Sequence, residues 1–437
     1  MSSTVAVRGR IAHCERRPDS TGGVAYFDDG ALIVDNGVIA ACGPAKEILP
    51  AETQLEVMDH GRNLIVPGLI DCHVHYPQTD IIASFGEQLL SWLENYTFPE
   101  EARFADLAHA RDTAEFFVRE LLRNGTTTAL VFATVHPGSV DALFEAAARF
   151  NMRIAAGKVL MDRHSPDNLR DTPETAYTES RALIERWHGN GRAVYAITPR
   201  FAATSSPEQL DAAGRLHREF PDTLVHTHLA ENHDEIAWIA EMYPDSRSYL
   251  DVYVSHGLVG PHSVFAHGIH LDDEDRRVMG EAGSAIAFCP TSNLFLGSGL
   301  FDWQAANNAH IEVGVGTDVG GGTSFSLLKT LAEAYKVLQM KRQTLASRDA
   351  LYLATLGGAR ALSMDDKIGN FEPGKEADFI VLDVAATPLI ERRLARVDTL
   401  DDELFVQWML GDDRSVAATY VAGRLAHRNT EGTTELT

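Results

Sequence analysis

Two histidines one residue apart, His73 and His75, close the run Pro67-Gly68-Leu69-Ile70-Asp71-Cys72-His73-Val74-His75. In an extended strand, side chains at i and i+2 point to the same side, so both imidazoles can reach one metal ion. Three further runs end in similar residues. Leu224-Val225-His226-Thr227-His228-Leu229 is followed by Ala230-Glu231-Asn232, Val264-Phe265-Ala266-His267 by Gly268, and Val313-Gly314-Val315-Gly316-Thr317 by Asp318. A ring nitrogen of His228 can complete a site begun by His73 and His75, with Glu231 working beside the ion rather than on it. His226 points the same way as His228 but lies one pleat deeper, as a core histidine or a support for the site. His262 and His270 are less well placed and read as structural or exposed. Asp318 reads either as a ligand or as the cap of a helix starting nearby. Imidazole and carboxylate without thiolate suit zinc, nickel or iron(II), and zinc is the commonest hydrolytic choice. Such an ion makes hydroxide available near neutral pH, a nucleophile for hydrolysis or hydrolytic deamination.

These residues act together only if the fold gathers four strand ends. The run ending at His75 is apolar rather than alternating, as in a parallel strand covered on both faces. Strands are predicted at Leu69–His75, Thr127–Phe132, Arg153–Leu160, Val194–Thr198, Leu224–Leu229, Val264–His267, Ala285–Cys289 and Glu312–Thr317. Amphipathic stretches such as Ala108–Arg123 and Ser139–Phe150 separate them. Eight alternating β and α units fit a (β/α)8 barrel, with the site at the carboxyl ends of its strands. An open doubly wound sheet is the alternative. Neither phosphate loop is present: Gly316-x-x-x-x-Gly321 continues to Gly322 rather than Lys, and Gly314-x-Gly316-x-x continues to Val319.

Residues 1–66 are rich in short β-type runs, with Asn36-Gly37 between Ala31-Leu32-Ile33-Val34 and Val38-Ile39-Ala40 as a hairpin signal. Residues 376–437 have the same character, in Ala377–Asp383, Val416–Val421 and a turn at Ala422-Gly423. The two ends are therefore expected to form one small β-sandwich domain beside a barrel over 67–375. The tail from about Arg428 is polar and expected to fray.

The 437 residues carry a formal net charge of −24, which makes phosphate backbones and anionic membranes poor partners and a small neutral substrate a better one. Cys14, Cys42, Cys72 and Cys289 are scattered, as in a reduced cytoplasmic chain. Met1 to Ala12 lacks a positive patch followed by an apolar run, so no signal peptide is expected. No apolar stretch is long enough to span a bilayer.

Taken together, these motifs resemble the amidohydrolase superfamily, and within it the members that deaminate guanine. The resemblance is carried by the run ending at His73-Val74-His75, Thr198-Pro199-Arg200-Phe201, His228-Leu229-Ala230-Glu231-Asn232, Ala266-His267-Gly268 and Gly316-Thr317-Asp318-Val319-Gly320-Gly321. Ile368-Gly369-Asn370-Phe371-Glu372-Pro373-Gly374-Lys375-Glu376-Ala377-Asp378 is similar to the superfamily's return into its small domain. The narrower likeness rests on Gln78, on Ser91-Trp92-Leu93 with Tyr96-Thr97-Phe98-Pro99, and on Arg200-Phe201.

The resemblance implies zinc on His73, His75, His228 and Asp318, with Glu231 as proton shuttle and His267 holding the attacking water. It implies Gln78, Arg200, Phe201, Trp92 and Leu93 around a guanine ring, and a homodimer. Two-metal members bridge their ions with a lysine at the end of the fourth strand. Ala193-Val194-Tyr195-Ala196-Ile197-Thr198 has none, and Lys158 on the third strand is a poor substitute, so one zinc per chain is expected. The His-x-Glu/Pro-Cys-x-x-Cys deaminase signature is absent, since Cys289-Pro290 has no second cysteine. Deamination or dechlorination of another heterocycle, such as an adenine-like purine, cytosine or a triazine, is the competing enzyme reading. A scaffold without catalysis is the non-enzymatic one, and it usually goes with lost ligands.

Overall fold

A computed structural model of the chain describes residues 4–49, 53–85 and 88–429. Eight parallel strands follow one another around a barrel: Leu69–His75, Thr126–Phe132, Arg153–Gly157, Ala193–Pro199, Leu224–Leu229, Ser263–His267, Ala285–Phe288 and Glu312–Val315. Each pairs with the next in sequence. The third breaks at Lys158, and its continuation Val159–Leu160 pairs with the end of the fourth. The eighth ends before Thr317, and the barrel closes through the residues beyond it. Asp318 N–H donates to the His73 carbonyl (2.9 Å) and His75 N–H to the Val319 carbonyl (2.9 Å). Asp71 adds a side-chain clasp: its Oδ1 accepts from Thr317 N–H (3.0 Å) and its Oδ2 from the Thr317 hydroxyl.

Helices cover the strands, and their starts follow local chemistry. Leu107–Arg123 is capped by Asp106, Pro173–Trp187 by a reciprocal box between Thr172 and Thr175, and Pro207–Glu219 by Ser206. Proline in the first turn of Pro137–Arg149, Pro173–Trp187 and Pro207–Glu219 uses a position where no intrahelical N–H bond is lost. The main core lies between strands and helices, with Val74, Val131, Ile154, Ile197, Val225, Phe265 and Phe288 fully or almost fully buried.

Both chain ends contribute to a separate seven-stranded sheet. Its long strands Thr4–Asp19, Gly22–Asp35 and Glu56–Pro67 meet Phe379–Leu382, Val416–Val421 and Arg424–Arg428. The expected hairpin is present: Asp35 pairs with Val38 across Asn36 (φ 50) and Gly37 (φ 86), the left-handed pair that a tight turn of this kind requires. Ion pairs join this sheet to the barrel. Arg192 Nη1 meets Asp378 Oδ1 at 3.1 Å, and Arg153 Nε meets Glu376 Oε2 at 3.2 Å. Most of the tail predicted to fray, residues 430–437, lies outside the described residues. No helix among the described residues is long and apolar enough to cross a membrane.

Candidate active site

Strand ends set the site. His73 and His75 leave the first strand on the same side, His228 leaves the fifth, and Asp318 follows the eighth. Their donor atoms converge: His73 Nε2 lies 3.2 Å from His75 Nε2, His228 Nε2 lies 3.3 Å from His75 Nε2, and Asp318 Oδ1 lies 3.2 Å and 3.4 Å from His73 and His75. Donors about 2.0–2.2 Å from a common ion lie about 3.3 Å apart when they subtend near-tetrahedral angles, so this spacing fits a zinc-sized cation. Burial drives the pKa of each of these imidazoles well below the usual value, helped by neighbouring histidines and Arg200, and so keeps their lone pairs free.

Supports behind the donors set their direction. His228 Nδ1 donates to the Arg200 carbonyl (2.7 Å), which leaves Nε2 as the inward lone pair. His226 is buried, and its Nε2 pairs with His73 Nδ1 at 2.8 Å, so the deeper histidine acts as a support. Phe132, level with His75 at the end of the second strand, packs against His73, His75, His226 and His228 at 4.4–5.3 Å. Lys158 is engaged elsewhere: its Nζ donates to the Val135 carbonyl (2.8 Å) and to Asp171 Oδ2 (2.6 Å).

Glu231 is buried beside this cluster. Its Oε1 accepts from Ser298 Oγ (2.8 Å), and its Oε2 lies 3.3 Å from His267 Nε2. Burial, reinforced by the nearby Asp318 charge, pushes its pKa up to about 8. His267 Nδ1 donates to Asn293 Oδ1 (2.8 Å), and its buried Nε2 makes no hydrogen bond, with Glu231 Oε2 as its carboxyl neighbour. That ring nitrogen lies 3.8 Å from Asp318 Oδ2. His270, half-buried, is structural: its Nε2 donates to the Ser298 carbonyl (2.8 Å). The backbone around these groups is strained. Ala230 (φ 49), His267 (φ 72) and Asp318 (φ 51) are non-glycine residues in the left-handed region, the kind of strain that concentrates at functional sites. Gly268 (φ 58) follows His267 in the same region without a side-chain cost.

A cavity opens onto the cluster. Every residue expected to touch substrate lines it: Gln78, Trp92, Leu93, Arg200 and Phe201, beside His75, His228, Glu231, His267 and Asp318. Arg200, however, is not a free fork. Its Nη1 donates to both oxygens of Glu101 (2.9 and 2.7 Å), and its guanidinium carbon lies 5.5 Å from the Phe98 ring centroid. Gln78 Nε2 donates to Glu101 Oε1 (3.3 Å), while Gln78 Oε1 accepts from Gly320 N–H (3.2 Å).

Sequence reasoning missed Glu101, Glu235, Ser298 and Phe132. Asn232-x-x-Glu235 does carry a capping-box signature, and Glu235 accepts from Glu231 N–H (3.0 Å) and Asn232 N–H (3.2 Å). Glu100-Glu101 reads as ordinary acidic residues at a helix start, and nothing in the sequence aims Glu101 at Arg200.

Comparison with known proteins agrees with this geometry. The amidohydrolase family model matches residues 64–426. The chain is 54% identical to the guanine deaminase of Escherichia coli over 97% of each protein, and 35% identical to that of Homo sapiens over 87% of this chain and 86% of the relative. Its fold superposes on the E. coli guanine deaminase structure with a TM-score of 0.94, covering 97% of this chain and 100% of that one. A guanine deaminase from C. acetobutylicum with guanine in its active site matches with a TM-score of 0.89 at 30% identity, covering 97% and 99%.

Proposed function

The chain belongs to the amidohydrolase family, and from that premise we propose that it is a zinc-dependent guanine deaminase, converting guanine and water to xanthine and ammonia. The observation that carries this reading is the sharing of one cavity by two sets of groups. One is the donor cluster of His73, His75, His228 and Asp318, of which all but His73 line the cavity; the other is a polar pair, Arg200 and Gln78, flanked by Phe201, Trp92 and Leu93.

His73, His75, His228 and Asp318 would hold the zinc, which would make a water acidic near neutral pH and supply a positive field for the developing charge. The chain's own residues do the rest. The guanidinium of Arg200 faces guanine O6 and N7, both acceptors, and the Gln78 amide offers a donor and an acceptor to the remaining edge. Phe201, Trp92 and Leu93 cover the ring faces and exclude water. Glu231, whose carboxyl burial pushes toward its protonated form, delivers a proton to N3 and makes C2 electrophilic. His267 Nε2 orients the water, and Asp318 takes the proton that water sheds on attacking C2. Asp318 passes that proton to the amine, the C2–N bond breaks, ammonia leaves, and the proton left on the C2 oxygen returns to Glu231. Cytoplasmic localisation, which rests on the scattered unpaired cysteines, and a homodimer, which rests on the resemblance, complete the reading.

The test is ultraviolet and ammonia assay of the zinc-loaded chain with guanine, using adenine, cytosine and cytidine as controls. Turnover of guanine well above the controls is expected. Turnover of adenine or cytosine in preference to guanine overturns the substrate assignment.

A further inference from the structure

Glu101 is fully buried and lies outside the cavity lining, yet it holds both polar residues of the substrate wall. Its two oxygens take Nη1 of Arg200, and Oε1 also takes the Gln78 amide. Arg200 is itself 2% exposed, so this is a wholly buried ion pair. A buried charge that loses its partner is uncompensated and seeks another. Glu101 sits on the helix Phe98–Ala102, immediately after the Leu89–Thr97 segment that supplies Leu89, Trp92 and Leu93 to the cavity. One stretch of chain thus delivers both the apolar cover and the carboxylate that fixes the polar wall.

We propose that Glu101 is a positioning and specificity-determining residue: it orients Arg200 and Gln78 toward the substrate and cancels the Arg200 charge, so that the site prefers neutral oxopurines over anionic ones. This rests on the guanine reading of the same cavity. With the pair intact, the wall offers directed N–H groups without net charge, which suits neutral guanine and disfavours the xanthine anion. Without Glu101, the guanidinium swings and its charge faces the cavity, so an anionic oxopurine becomes the better ligand. A merely structural Glu101 predicts weaker binding of every ligand alike, with no change in charge preference.

The experiment uses the zinc-loaded enzyme and three variants: Glu101→Gln, which removes the charge but keeps the shape, Glu101→Asp, which keeps the charge but withdraws it, and Arg200→Ala. Guanine turnover gives kcat and KM, and calorimetry gives xanthine affinity below and above its first ionisation. Glu101→Gln is expected to raise KM for guanine about tenfold or more, leave kcat nearly unchanged and bind xanthine anion about tenfold tighter than the parent does. Glu101→Asp raises KM without the gain in anion affinity, and it carries the test if Glu101→Gln does not fold. In the Arg200→Ala background, Glu101→Gln adds less than about threefold to KM, because the two act as one unit. A Glu101→Gln enzyme with parental KM, or with parental preference between the neutral and anionic forms of xanthine, overturns the role. An Asp variant that gains anion affinity also overturns it. A parent that leaves guanine intact overturns the deaminase reading, and this proposal with it.

Discussion

In the proposed function Glu231 serves the chemistry and Arg200 the recognition, so their substitutions should fail differently. Glu231 belongs to no ligand pair among the donor atoms, and its side chain is tied to Ser298 and His267. Glu231→Gln keeps the shape and the Ser298 contact but removes the acid. Zinc content should stay at the parental level while kcat falls by about 10²–10⁴-fold, the usual worth of a positioned acid–base group. Loss of zinc in that variant contradicts the role. Arg200 acts through its backbone as well: its carbonyl receives His228 Nδ1, and that contact survives truncation of the side chain. Arg200→Ala should therefore retain zinc and lose about 1–3 kcal/mol in kcat/KM for guanine, the worth of a good contact to this purine edge. Parental turnover by that variant reduces Arg200 to a partner of Glu101. That His73, His75, His228, His267 and Asp318 gather at one end of the barrel was legible in the sequence because they lie at the ends of apolar runs, and a strand end in a barrel fixes where a side chain goes. Glu101 was not legible: its meaning comes from a contact 99 residues away.

At the scale of elements, strand ends were legible and strand closure was not. The eight predicted runs correspond closely to the barrel strands because a parallel barrel buries both faces and leaves continuous apolar sequence. The clasp of Asp71 onto Thr317 was not legible, since pairing between the first and last strands has no local signal. Two short helices, Pro388–Leu394 and Leu400–Leu410, interrupt the terminal sheet segment that composition alone marked as β. In that sheet His13, on the strand Thr4–Asp19, is 5% exposed and accepts a hydrogen bond from Phe371 N–H (3.4 Å). Burial pushes its pKa down to about 4; a weaker pull from Glu372 opposes this, and Lys375 adds to it. The unfolded value, about 6.5, is higher, so the unfolded chain binds more protons between those limits. Stability from a neutral His13 is whole above about pH 6.5 and drains away as pH falls toward 4. Between pH 7 and pH 5 the parent should lose about 2 kcal/mol more than His13→Gln, read from denaturation at each pH. Parallel pH profiles for the two proteins contradict this.

For the molecule as a whole, the proposed metal would couple the barrel's closure to its chemistry. His73 and His75 come from the first strand and Asp318 from the residues that close onto it, so an ion held by them would bridge the seam between the ends of the barrel. The same seam carries the His75 N–H to Val319 and Asp318 N–H to His73 hydrogen bonds. A ligand that binds only the folded state stabilises it by mass action, about 2.7 kcal/mol at a hundredfold excess over its dissociation constant. Removing the metal also leaves several lone pairs facing one another at 3.2–3.4 Å. Chelation should therefore abolish guanine turnover and lower the thermal midpoint together, and one equivalent of zinc should restore both. Elemental analysis of the untreated protein should find about one zinc per chain, since three imidazoles and one carboxylate serve a single ion and Lys158 is held by Asp171. Two tightly held metals contradict the single-ion site. A chelated chain that keeps its thermal midpoint contradicts the bridging role, because an ion across the seam cannot leave without loosening the two strands it joins.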